Sequence, residues 1–225
     1  CTIKALNAGL NVLCEKPMAY SVKEAEEMLA VAEKNGKLLM IGFVLRFSDD
    51  AKIAMDFIQK DYLGEIYYSK AQYVRRHGNP GGWFADKSRS GGGPIIDIAT
   101  HSLDLTLYLM NNYEPQMVVG KTHKKLEHPE AGNIWGDKGV SDNTLEEAAC
   151  AFIRMKNGAT IMLETSWALN IDNAPDAGSC RLCGSKAGLS ILGSELKINK
   201  VELDRPINTK VDTSAGGVAF YSGSR

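Results

Sequence analysis

The feature that most constrains this sequence is an amphipathic stretch enclosed by two short apolar runs. Ser21-Val22-Lys23-Glu24 matches a helix-capping box, and apolar residues then recur at helical spacing until Asn35-Gly36. The runs Val12–Cys14 and 38–41 have the continuous apolar character of parallel strands that are covered on both faces. A short helix comes first. Residues 1–42 are therefore predicted to be α-β-α-β, the tail of a doubly wound Rossmann sheet.

The pattern changes after this segment. A helix is expected near residues 50–60, and stretches rich in β-forming residues follow it. Asn157-Gly158, between two such stretches, is a strong signal for a β-hairpin. Residues 43–225 are therefore predicted to form an α+β domain with a large, open, mainly antiparallel sheet.

A glycine-rich segment, 78–94, is predicted to be a long loop leading into a helix over residues 95–110. Apolar residues cover most of this helix, yet four ionisable residues fall on one face: Asp97, His101, Asp104 and Tyr108. They could form an internal polar network or an exposed face. Alternatively, His101 is a general base that the Asp97 carboxylate orients. Metal binding by this pair lacks an evident third ligand, so no metal site is expected.

Glu15-Lys16-Pro17 follows the first predicted strand directly. In open α/β sheets ligands bind beyond the carboxyl ends of the strands, so Lys16 would project into that crevice. A solvated lysine at a strand end is the other interpretation. The position of Lys16 therefore suggests a binding site without establishing one.

The order Glu15-Lys16-Pro17, then Gly91-Gly92-Gly93, Asp97, His101 and Asp104 resembles the Gfo/Idh/MocA family of oxidoreductases, which includes glucose-fructose oxidoreductase and inositol dehydrogenase. The resemblance covers nearly the whole chain. It includes Gly42-Phe43 with Arg46-Phe47 and the stretch that ends in Trp167-Ala168. Each motif alone is weak evidence for the resemblance, but the order and spacing of the motifs are specific to this family.

The resemblance implies an NAD- or NADP-dependent dehydrogenase that moves a hydride between nicotinamide and a secondary hydroxyl of a sugar, inositol or related polyol. Lys16, Asp97 and His101 would be catalytic, with Asp97 and His101 also binding substrate. Glu15, Lys16 and Pro17 would border the cofactor. A homo-oligomer, dimer or tetramer, formed through the open sheet is also implied.

Three further residues are weaker candidates. Arg46 could bind the cofactor, although a structural ion pair is an equal alternative. Trp83 could stack on a sugar ring, or it could anchor its loop to the core. His77 is a third candidate for substrate binding.

The chain departs from the family in lacking a G-x-G-x-x-G motif. We therefore expect a fragment without the first part of the Rossmann domain and without the C-terminal end. The alternative function is a non-catalytic remnant that acts as an oligomerising or ligand-binding module.

Composition restricts the partners further. The 26 basic and 27 acidic residues give a net charge of -1, which provides no positive field for nucleic acid. No apolar run approaches the roughly 20 residues of a membrane-spanning helix. Five scattered cysteines do not suggest a disulfide framework and favour the cytoplasm.

Overall fold

A computed structural model of the protein describes residues 1–126, 145–172 and 178–213. In these ranges the α-helices are α1 (Thr2–Asn7), α2 (Val22–Lys34), α3 (Asp49–Gln59), α4 (Lys87–Ser90) and α5 (Thr100–Met110). The strands are β1 (Val12–Cys14), β2 (Leu39–Ile41), β3 (Ile66–Val74), β4 (Pro115–His123), β5 (Ala148–Met155), β6 (Thr160–Ser166), β7 (Ser179–Gly184), β8 (Gly188–Leu192), β9 (Glu195–Glu202) and β10 (Arg205–Lys210). None of the helices in the described ranges is long and apolar enough to cross a membrane.

The first 42 residues have the predicted α-β-α-β order. Strands β1 and β2 pair in parallel, with Leu13 opposite Met40. Helix α2 begins with the expected cap, because the Ser21 hydroxyl accepts a hydrogen bond from the Glu24 amide at 3.3 Å. The Glu24 carboxylate in turn accepts one from the Tyr20 amide. This reciprocal capping fixes the start of α2 and the loop between β1 and α2.

The other eight strands form one sheet in the order β10-β9-β8-β7-β3-β6-β5-β4. All pairs are antiparallel except β3 with β6. The hairpin predicted at Asn157-Gly158 joins β5 to β6, and Gly158 has a φ of 92°, which favours glycine. The predicted fold class is therefore confirmed, while the boundary at residues 42 and 43 stays a prediction.

Strand β10 was not predicted as a strand. It lies at the edge of the sheet, and five of its six residues are exposed. An edge strand that buries no face has no alternating apolar pattern, so periodicity cannot identify it.

Helix α5 packs against the middle of the sheet. Its buried residues Leu105 and Leu109 belong to an apolar cluster with Cys180 and Leu182 of β7. On the opposite face of the same strands lie charged residues that include Lys70 and Arg181, which are cross-strand partners. Helix α5 is thus held on one face of the sheet, and within the described ranges no helix covers the other face.

The segment before α5 differs from the long loop that was predicted. It contains a 3-10 turn, Gly82–Ala85, and the short helix α4. The predicted helix over 95–110 also begins differently, as a π-helical turn over Ile95–Ala99. Such turns interrupt α-helices frequently at functional sites, and this one contains Asp97.

Candidate active site

Lys16 lies just beyond the carboxyl end of β1, where the sequence predicted a ligand crevice. Its Nζ atom donates hydrogen bonds to the main-chain oxygen of Asp97 at 2.6 Å and to the carboxylate Oδ1 of Asp97 at 3.2 Å. The two side chains are only 17% and 11% exposed. Lys16 is therefore a largely buried cation with a specific partner, and the alternative of a solvated lysine is wrong.

Both oxygens of the Asp97 carboxylate are in use. Oδ1 accepts from Lys16, and Oδ2 accepts a hydrogen bond from Nε1 of Trp167 at 2.8 Å. These oxygens therefore bind Lys16 and Trp167, and not His101, which Asp97 was expected to orient. An ammonium group and an indole N–H both reach the carboxylate, and hydrogen bonds to a charged group are stronger than neutral ones.

His101 is half-buried on the first turn of α5, with its ring centroid 6.4 Å from that of Tyr73. Its buried Nδ1 atom has no hydrogen-bond partner among the described residues. Burial lowers the pKa of His101 below the ordinary value of 6.5, and the positive charge of Lys16 lowers it further. Asp97 opposes the shift without reversing it. The imidazole is therefore neutral at pH 7 and can accept a proton.

A cavity of about 380 Å³ adjoins Lys16 and Asp97. This volume lies in the range of small-molecule sites, roughly 300–1,000 Å³. Besides Glu15, Lys16, Pro17 and Asp97, its wall includes the aromatic side chains of Tyr20, Trp83 and Phe84. Trp83 is 47% exposed and stacks on Phe84 with ring centroids 4.0 Å apart. The cavity thus combines charged groups with aromatic faces.

A larger cavity, about 720 Å³, lies between α5 and the strands β4 and β5. Most of its wall is apolar, and none of the predicted site residues lines it. Convergent polar groups, rather than size, identify a catalytic site, so the smaller cavity is the candidate active site.

Arg46, His77 and His101 are not among the residues that line this cavity. The guanidinium of Arg46 forms two hydrogen bonds with Asp104, of which the Nε–Oδ2 bond is 2.7 Å, and this interaction raises the pKa of Arg46. Arg46 also lies over the ring of Tyr108, 5.1 Å from its centroid. His77 forms a backbone β-bridge with Ala168. Arg46 therefore forms a structural ion pair with Asp104, which was the alternative to cofactor binding.

Several residues of the site were not predicted as site residues, among them Tyr20, Phe84, Arg89 and Trp167. The first three line the cavity, and Trp167 bonds to Asp97 across 70 positions of the chain. Trp167 stood out only as part of the family resemblance. Contacts over such sequence distances leave no local pattern.

Two family models match the chain. The model described as the GFO/IDH/MocA C-terminal domain matches residues 52–190, and the model described as an oxidoreductase family with an NAD-binding Rossmann fold matches residues 1–43. A curated relative, the D-glucoside 3-dehydrogenase of Escherichia coli K12, is 35% identical over 196 residues. The match covers 87% of this chain and 56% of that protein, so the chain spans about half the length of such relatives.

Solved structures share the fold. An oxidoreductase domain protein from Kribbella flavida has a TM-score of 0.80 at 26% identity, over 95% of this chain and 58% of that one. A levoglucosan dehydrogenase in complex with NADH and levoglucosan has a TM-score of 0.79 at 21% identity, over 93% and 56% of the two chains. At that identity the second likeness concerns the fold alone.

The lowered pKa of His101 predicts how stability depends on pH. Because the unfolded chain binds this proton more readily, the free energy of unfolding is highest above pH 6.5 and falls as the pH drops from there toward the folded-state pKa. NMR titration of the imidazole should give a pKa below 6.5. His101→Asn should reduce the pH dependence of urea unfolding in this range, whereas the exposed control His123→Asn should keep it. A His101 resonance that titrates at or above 6.5 would contradict this prediction.

Proposed function

Because the chain belongs to the Gfo/Idh/MocA family of oxidoreductases, we propose that it carries the substrate site and catalytic residues of an NAD-dependent sugar dehydrogenase. The proposed reaction oxidises a secondary hydroxyl of a sugar or related polyol, a class that includes inositol. The observation that carries the proposal is the Lys16 ammonium, held 2.6 Å from the Asp97 carbonyl oxygen at the wall of a cavity and near enough to His101 to lower the pKa of its imidazole.

The residues at the end of β1 fit the nicotinamide end of the cofactor. Glu15, Lys16 and Pro17 border the cavity and would hold that end, and the buried Nδ1 of His101 has no hydrogen-bond partner among the described residues. When bound, NAD⁺ supplies a hydride acceptor. No G-x-G-x-x-G motif occurs in these 225 residues, so they supply no glycine loop of that kind for the pyrophosphate.

Each of the three polar residues has a distinct role in this proposal. Lys16 donates a hydrogen bond to the substrate oxygen and stabilises the negative charge that develops as the proton leaves. The neutral imidazole of His101 accepts that proton. Asp97 holds Lys16, and the remaining lone pairs of its carboxylate can accept a hydrogen bond from a second substrate hydroxyl.

The aromatic wall suggests the shape of the substrate. A half-exposed indole next to a charged pair matches a sugar, because one face of a pyranose ring presents C–H groups and its edge presents hydroxyls. The D-glucoside 3-dehydrogenase is the relative with the highest identity described above, which makes D-glucosides the first compounds to test.

We further propose that the chain forms a homo-oligomer through the open face of the large sheet. On that face Val119, Phe152 and Met162 are consecutive cross-strand partners and form an apolar end, next to Lys70 and Arg181. The same surface would serve the alternative function, a non-catalytic oligomerising module. The two functions differ in whether turnover depends on Lys16 and His101.

Activity is tested in a chimaera, called the completed enzyme here, in which the first βαβ units of the D-glucoside 3-dehydrogenase precede Thr2. In NADH formation from a D-glucoside, His101→Ala should lower kcat/KM by about 10²–10⁴ because it removes the base. Lys16→Met should lower it by about 10²–10³ because it removes the oxyanion donor. His123→Ala, at the end of β4, is the matched control and should have no effect. Turnover of His101→Ala within about threefold of the parent would exclude the proposed base.

Trp83 is expected to contribute binding energy through its ring. In the completed enzyme Trp83→Ala should raise KM for the glucoside about five- to tenfold, while KM for NAD⁺ stays constant. Trp83→Phe retains an aromatic face and should change KM by no more than about twofold. An unchanged KM in Trp83→Ala would show that the ring only anchors its loop.

Sedimentation equilibrium tests the oligomer. The parent chain should sediment as a dimer or tetramer, and Met162→Glu should shift the equilibrium toward the monomer because it places a charge in the apolar end of the interface. Leu203→Glu, in the exposed turn after β9, is the control and should leave the equilibrium unchanged. A monomeric parent at concentrations of tens of micromolar (roughly the range for weak dimers) would refute this part of the proposal.

A further inference from the structure

Trp167 is the largest fully buried side chain of the described residues, with 0% exposure. Its main chain is fixed on both sides just after β6. The Trp167 amide donates to the Glu147 carbonyl at 2.8 Å, and the Trp167 carbonyl accepts from the Gly78 amide at 2.7 Å. The ring packs in an apolar cluster with Ile98 and Leu145. The indole therefore has a single position, set by the sheet.

The side chain of Trp167 has one polar group, the Nε1–H, and it points at the Asp97 carboxylate. It donates to Oδ2 at 2.8 Å, while Oδ1 accepts from Lys16 at 3.2 Å. The last torsion of an aspartate side chain has broad minima, so a carboxylate turns easily when nothing holds it. A rigid donor on one oxygen decides where the other oxygen lies.

We propose that Trp167 is a positioning residue for Lys16, which it controls through Asp97. The indole N–H fixes the plane of the carboxylate, and Oδ1 then faces the ammonium group. Lys16 would reach its place beside the cavity because two oxygens of Asp97 define it, one on the main chain and one on the side chain. The catalytic consequence rests on the function proposed above for Lys16, but the positioning itself does not.

The test uses the 225-residue chain without ligands. Reductive methylation, followed residue by residue by mass spectrometry, reports how well Lys16 is held. Trp167→Phe keeps an apolar ring and removes the N–H, and it should accelerate methylation of Lys16 about tenfold, the value of one charge-assisted hydrogen bond. The exposed Lys52 is an internal reference whose rate should not change.

Ile98→Val is the matched control, because it loosens the same apolar cluster without touching a hydrogen bond. It should leave the methylation rate of Lys16 unchanged. If Trp167→Phe gives the parent rate, or if Ile98→Val accelerates methylation equally, Trp167 is only a packing residue and the proposal is wrong.

Asp97→Asn keeps the proposal testable if Trp167→Phe does not unfold cooperatively. If the indole N–H fixes the orientation, the introduced carboxamide must turn its oxygen to Trp167 and its NH₂ group to Lys16, which releases Lys16 and accelerates its methylation about tenfold. If the indole exerts no control, the carboxamide oxygen turns to Lys16 and keeps a hydrogen bond to it, so Lys16 is methylated several-fold more slowly in Asp97→Asn than in Asp97→Ala, whereas a fixed orientation makes these two rates similar. That second outcome would overturn the proposal.

The completed enzyme provides the kinetic measurement. Trp167→Phe should lower kcat about tenfold and leave KM for NAD⁺ unchanged, and it should cost nothing further when combined with Lys16→Met. Additive losses would contradict an action through Lys16. If the completed enzyme is inactive but Trp167→Phe still accelerates methylation of Lys16, the positioning role is supported and the proposed function is refuted. Failure of the positioning role and failure of the proposed function therefore give different results.

Discussion

The site depends on one contact, in which two oxygens of Asp97 bind the ammonium group of Lys16. The two residues are 81 positions apart in the chain, and each belongs to a different part of the fold. Lys16 lies just beyond the end of the first parallel strand, and Asp97 lies in the π-helical turn that precedes α5. Because both side chains are largely removed from water, loss of either would leave a buried charge without its partner, which commonly costs about 3–5 kcal/mol. The contact therefore couples the Rossmann strands to the large sheet.

The large sheet makes this contact rigid. Helix α5 packs on the sheet through an apolar cluster. The Arg46–Asp104 ion pair also connects this helix to the turn that follows β2. Burial favours the neutral imidazole of His101, and the nearby charge of Lys16 lowers the pKa of this group further. The buried Lys16 cation and its effect on the pKa of His101 are thus consequences of one packing arrangement.

The amino-acid sequence predicted the elements with strong local signals. The capping box of α2, the parallel pair β1 and β2, and the hairpin at Asn157-Gly158 follow from residue spacing and turn chemistry. Family resemblance supplied Lys16, Asp97 and His101, which spacing alone left undecided. The partner of the Asp97 carboxylate was not predictable, because Trp167 arrives from a distant strand and the π-helical turn changes the face geometry of the helix. Edge strand β10 buries too little to have a periodic pattern.

The proposed function requires that this site transfer a hydride from a carbinol carbon of a sugar to nicotinamide. The most direct test gives the completed enzyme a D-glucoside with deuterium on the oxidised carbon and examines the reduced cofactor by mass spectrometry and NMR. Hydride transfer at this site should give one deuterium at C4 of the nicotinamide for each ketone formed, with no label lost to water, and Lys16→Met should greatly reduce this transfer. Ketone formation with an unlabelled cofactor, or transfer that is independent of Lys16, would contradict the proposed function.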